Sequence, residues 1–77
     1  METHFQKELN ELKQNLLKMA TIVEEAIHDS VQSLVKRDSE LAQKTFSMED
    51  QINKMEIAIE DMCLKLLALR QPMAVDL

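Results

Sequence analysis

The chain has 77 residues, a formal net charge of −5, no glycine, one proline, one cysteine and two phenylalanines. A chain this short buries a smaller share of its surface than a typical domain, so it holds one domain at most. Missing glycines argue against sheets with tight turns, and the preference for Leu, Met and Ile over aromatics argues for long helices, so the expected fold class is all-α. Residues 1–37 carry five basic and six acidic side chains, residues 38–77 four and eight. An acidic second half repels phosphate backbones and disfavours nucleic acid as a direct partner, while a divalent cation or a basic protein face stays open.

Thr3 followed by Gln6 fits a capping box, which starts helix one at about residue 4 and carries it to about 37. Its apolar positions Phe5, Leu9, Leu12, Leu16, Met19, Val23 and Ala26 keep a 4-3 rhythm. Leu17, Ala20, Ile27, Val31, Leu34 and Val35 widen the stripe, so the second half of this helix is expected to touch more than one neighbour. Lys36 and Arg37 suit the negative end of the helix dipole, and Asp38 or Ser39 can cap the next helix. So short a turn makes the two helices an antiparallel αα-hairpin.

Helix two runs from about 39 to 70, and Gln71-Pro72 stops it, because proline disfavours helical geometry in the residue before it. Residues 72–77 read as the opening of a third helix. Along helix two, Met48, Ile52, Met55, Ile59, Met62, Leu66 and Leu69 form an unbroken seam. One facing helix cannot cover all the apolar surface around Met62 to Leu69, so the seam is expected to drive self-association into a helix bundle, a homo-oligomer. The methionines in these stripes read as core, and Cys63, beside the seam, as a small core residue in a reducing compartment. No stretch approaches the roughly 20 apolar residues that span a bilayer, and the N-terminus lacks an apolar run behind a basic start, so a cytoplasmic location is expected.

Candidate chemistry is confined to carboxylates. On a helical wheel centred on Ile52, Glu49, Asn53, Glu56 and Glu60 fall together at about 40° to 100°, with Phe46, Ile57 and Leu64 as a second apolar line beyond them. Such a stripe could hold a divalent cation or iron with carboxylates of a neighbouring helix, or form a solvated edge. Glu25 and His28 match a Glu-x-x-His spacing but fall away from the seam and read as a solvated pair. No nucleophile with a base and no glycine-rich phosphate loop is present, so the chain is not expected to be an enzyme.

Several segments resemble the PhoU family of phosphate-uptake regulators: His4-Phe5 with Glu8-Leu9, Leu16-Leu17-Lys18-Met19-Ala20, Arg37-Asp38 with Leu41-Ala42, and above all Cys63-Leu64-Lys65-Leu66-Leu67-Ala68-Leu69-Arg70-Gln71-Pro72 with Asp76-Leu77. Family members are built as two three-helix repeats, so the resemblance implies the first two helices of repeat one and the first residues of helix three. It also implies a regulatory adaptor in phosphate homeostasis, a negative regulator of phosphate uptake and of the phosphate regulon. The implied partners are a phosphate-sensing histidine kinase and the ATPase of the phosphate ABC transporter. Some members bind metal through Glu/Asp-x-x-x-Asp motifs, matched here by Glu49 and Asn53, where asparagine is the weaker ligand. The competing expectations are a metal-binding carboxylate helix bundle and a purely structural, self-associating coiled coil.

Overall fold

The computed structural model describes residues 3–69. Among the described residues there are two helices, α1 over His4–Lys36 and α2 over Ser39–Leu69. Among the described residues there is no strand. Arg70, the Gln71-Pro72 stop and the third-helix start at 72–77 lie outside the described residues.

The capping box at the start of α1 is formed on both sides. Thr3 Oγ1 accepts from the Gln6 N–H at 3.1 Å, and Gln6 Oε1 accepts from the Thr3 N–H at 3.4 Å. These bonds satisfy backbone donors that a helix start otherwise leaves free. At the other end Arg37 takes the left-handed conformation, with φ 52° and ψ 46°, and the Asp38 N–H closes back onto the Ser33 carbonyl at 3.0 Å. Asp38 then caps α2, its Oδ1 accepting from the Leu41 N–H at 3.1 Å, and Glu40 follows in the first turn. The chain therefore reverses within two residues, which lays α2 back along α1.

The register is antiparallel. Near the open end Leu12, Ile59 and Leu66 form the core, with Phe5, Leu9, Met19, Met62 and Cys63 packed around it. Near the turn Lys44 reaches Glu25 and Asp29. Met48, Ile59 and Leu66 are each 7% exposed, whereas Ile52, Met55 and Met62 are half-buried and Leu69 is 60% exposed. Met48, Ile59 and Leu66 of the seam thus line the hairpin's own interface, with Ile52, Met55 and Met62 half-buried beside them. The reason is geometric: a lone partner helix takes the stripe of strongest periodicity, and the line beside it remains uncovered.

On α1 the inward line differs from the expected one by a single position. Leu16 is 42% exposed, while Asn15 turns inward and its Nδ2 donates to Met62 Sδ at 3.3 Å. A 4-3 rhythm is compatible with either choice, and the facing methionine supplies a weak acceptor for the amide.

Candidate functional site

Three features of the hairpin could carry function: an ion cluster around the buried Asp29, the carboxylate stripe, and an uncovered apolar face. The cluster sits near the turn. Asp29 is 9% exposed, and its Oδ2 lies 3.3 Å from Lys44 Nζ without a well-aligned hydrogen bond, so the contact is an ion pair. Glu25 Oε1 accepts from the same ammonium at 3.4 Å. Contact with Asp29, and secondarily with Glu25, holds the Lys44 ammonium above its ordinary value of 10.5. Periodicity did not single out Asp29. The available signal was the pairing of two acids one turn apart on α1 with a lysine close beyond the turn. Glu25 therefore pairs across the hairpin, and not with His28, which is exposed.

Glu49, Asn53, Glu56 and Glu60 are all exposed. Glu49 and Asn53 line a groove of about 270 Å³ with Thr45 and Ile52 of α2 and Val23, Ala26, Ile27 and Ser30 of α1. Among the described residues no three His, Cys, Asp or Glu side chains are grouped to hold a metal ion. Carboxylates spaced along one face of a single helix point outward in parallel, and a hard cation requires oxygens that converge from several directions. The four residues of the stripe therefore do not fit a cation by themselves.

The cations of α2 are engaged elsewhere. Lys54 pairs with Asp50 at 3.3 Å, Lys65 with Asp61 at 3.0 Å, and Lys44 with Glu25 and Asp29. Among the described residues Glu49, Glu56 and Glu60 have no ion-pair partner.

The uncovered apolar face runs the length of the same side. At the open end Phe5, Leu9, Leu12, Cys63, Leu66 and Leu67 line a groove of about 290 Å³ with almost no polar wall. Toward the turn the groove containing Val23 and Ile27 continues it. Ile27 and Leu67, which line these grooves, are 61% and 66% exposed, and Leu17, Ile57 and Leu64 stand exposed on the outer backs of the two helices, opposite the buried lines. Glu8, Glu11, Lys18, Gln51 and Lys65 line the grooves of the opposite side together with Met55, Ile59, Met62 and Leu66. Among the described residues no helix is long and apolar enough to cross a membrane.

Residues 16–77 match the family model described as the PhoU domain. Proteins named phosphate-specific transport system accessory protein PhoU homolog are 44% identical over 73 residues in Pseudomonas aeruginosa and 42% over 71 in Aquifex aeolicus. The phosphate-specific transport system accessory protein PhoU of Escherichia coli is 33% identical over 73 residues. These alignments cover 95%, 92% and 95% of this chain, and 30%, 32% and 30% of the relatives. The chain thus spans about a third of the length of the curated relatives it matches. No solved structure matches it.

Proposed function

This chain belongs to the PhoU family, and on that premise we propose that it contributes a protein-binding element to phosphate homeostasis, acting by contact and not by turnover. The observation that carries this reading is the uncovered apolar face. Large apolar side chains more than half exposed, Ile27 and Leu67 of its grooves among them, exceed what a water-facing surface normally carries, and such exposure marks places where protein meets protein. Relatives are named as accessory proteins of a phosphate-specific transport system. Resemblance to the family supplies the direction of the effect, repression of phosphate uptake and of the phosphate regulon from the cytoplasmic side. It also supplies the two partners, a phosphate-sensing histidine kinase and the ATPase of the phosphate ABC transporter.

A direct test measures binding of the purified chain to the cytoplasmic portion of that kinase and to that ATPase. The expected result is saturable binding to at least one of them, lost when Ile57→Ser and Leu64→Ser are combined and helical content is unchanged. Absence of binding to both would sink the adaptor reading. A phosphate-responsive reporter in cells lacking their own PhoU then reads the sign of the effect, with lower expression in high phosphate expected when the chain is supplied. Self-association is the second reading, favoured by the same exposed side chains, and it predicts a concentration-dependent mass in sedimentation equilibrium.

A further inference from the structure

Met19, Met48, Met55 and Met62 all belong to the inward lines of the helices, but they do not stand in equal surroundings. Met48 is 7% exposed, and Met19 is half-buried against the core. Met55 and Met62 each line a groove on the side away from the open face, Met55 with Lys18 and Gln51, Met62 with Glu8, Glu11 and Lys65. The Met62 groove has a volume of about 190 Å³ and opens to solvent, so a small water-soluble reagent reaches that side chain without unfolding the hairpin.

Met62 also carries a feature that the other three lack. Asn15 Nδ2 donates to Met62 Sδ at 3.3 Å, from 47 positions away in sequence. Among the described residues no hydrogen bond reaches the sulfur of Met19, Met48 or Met55. A thioether is a weak acceptor, so the half-buried amide of Asn15 is poorly served by the partner it has. A sulfoxide oxygen is a strong one. In an apolar seam without a donor, that oxygen costs what any desolvated and unpaired acceptor costs. Beside Asn15 the donor is already in place, and the freely rotating methionine side chain lets the new oxygen take over the amide N–H.

We propose that Met62 is a reversible oxidation site, its thioether converted to the sulfoxide by hydrogen peroxide while the hairpin stays folded and Asn15 holds the new oxygen. The sulfur lone pair attacks one peroxide oxygen, the O–O bond breaks as the S–O bond forms, and the second oxygen leaves as water with both protons. Sulfur is oxidised by two electrons and peroxide is reduced. The return step belongs to a thiol-dependent methionine sulfoxide reductase, in which two thiols become a disulfide, the thioether is restored and the oxygen leaves as water. Asn15 is a positioning residue that makes the oxidised state compatible with the fold. The inference goes beyond the protein-binding reading and does not depend on it.

The test exposes the full chain to dilute hydrogen peroxide and follows each methionine by peptide mass mapping. Met62 sulfoxide should form about tenfold faster than Met48 sulfoxide, since the Met48 sulfur is reached only through local opening. Stability is then read in the M19L/M48L/M55L chain, whose volume-conserving changes leave Met62 as the one methionine of the inward lines. The same chain with Met62→Leu added serves as the blank for oxidation at Met1 and Met73. Oxidation should leave the urea midpoint of the Met62 chain where the blank has it. With Asn15→Leu added, the same oxidation should lower the midpoint. Asn15→Asp, which keeps size and polarity but has no side-chain N–H to give, should do likewise. Each variant is compared with its own unoxidised form, so any change in packing before oxidation cancels. Sulfoxide reductases of both stereochemical preferences, supplied with dithiothreitol, should together return Met62 to the thioether in the folded chain. Equal oxidation rates at Met62 and Met48, a fall in midpoint that is the same with and without the Asn15 amide, or a Met62 sulfoxide that the reductases leave untouched would each overturn the proposal.

Discussion

Asp29 sits where its chemistry is least comfortable, 9% exposed on the inner side of α1, with Lys44 of α2 as its counter-ion. A buried carboxylate is tolerated when it is paired, and removing the partner is worse than removing the pair, because the remaining charge stays desolvated. Lys44→Met should therefore lower the midpoint of urea unfolding, since a carboxylate at the depth of Asp29 without a counter-ion costs on the order of 1–3 kcal/mol. Asp29→Leu in the Lys44→Met background should restore most of the loss, and a further drop would mean that the pair does more than cancel its own burial. The pH dependence has a defined sign. A pKa raised on folding gives stability that is complete below the ordinary lysine value of 10.5 and is lost as pH climbs through the raised value. Unfolding measured across that alkaline window should show a loss that Lys44→Met lacks, made modest by the solvent that reaches the half-exposed ammonium. None of this was legible from periodicity, since Asp29 occupies an inward position without being apolar. The outward placement of His28 was legible, because hydrophobic spacing alone fixes it.

At the scale of the elements, the ends of the helices are written more clearly than their faces. Thr3 with Gln6, and Asp38 ahead of Glu40, are local signals, and each is realised as a hydrogen bond within a few residues. What local chemistry leaves open is the backbone of the turn itself. Arg37 carries a left-handed conformation that a side chain with a Cβ enters only against steric resistance. Arg37→Gly relieves about 1–2 kcal/mol of that resistance and adds about 0.5–1 kcal/mol of unfolded-chain freedom, so it should stabilise the hairpin by about 0.5–1 kcal/mol. Asp38→Ala should act oppositely, costing about 0.5–2 kcal/mol through loss of the cap on α2. Both are read as shifts in the urea midpoint by far-UV circular dichroism. A destabilising Arg37→Gly would show that the guanidinium makes a compensating contact at the turn. The faces were less legible. On α1 a 4-3 rhythm admits either Leu16 or Asn15 on the inner line, and the choice of Asn15 depends on Met62, 47 positions away.

Across the whole molecule, apolar side chains divide into two populations that composition cannot separate. Leu12, Ile59 and Leu66 are at most 8% exposed, while Leu34, Ile57 and Leu64 are at least 58% exposed, although all six belong to helical stripes. Sequence periodicity finds both stripes on α2, but a single helix covers only one, and which one is set by the short turn and the register it imposes. Each population predicts its own response to the same chemical change. Truncating Leu12, Ile59 or Leu66 to alanine should cost about 2 kcal/mol or more, because atoms are removed from the hairpin interface and the gap closes only in part. Truncating Leu34, Ile57 or Leu64 should change stability by less than about 0.5 kcal/mol, since those side chains are already in water. The comparison belongs in dilute solution, where no second surface is present to cover the open face. A large cost at Ile57 or Leu64 under those conditions would mean that another copy already protects them. A small cost there, together with loss of partner binding in the same variants, would assign their hydrophobicity to recognition and that of Leu12, Ile59 and Leu66 to folding.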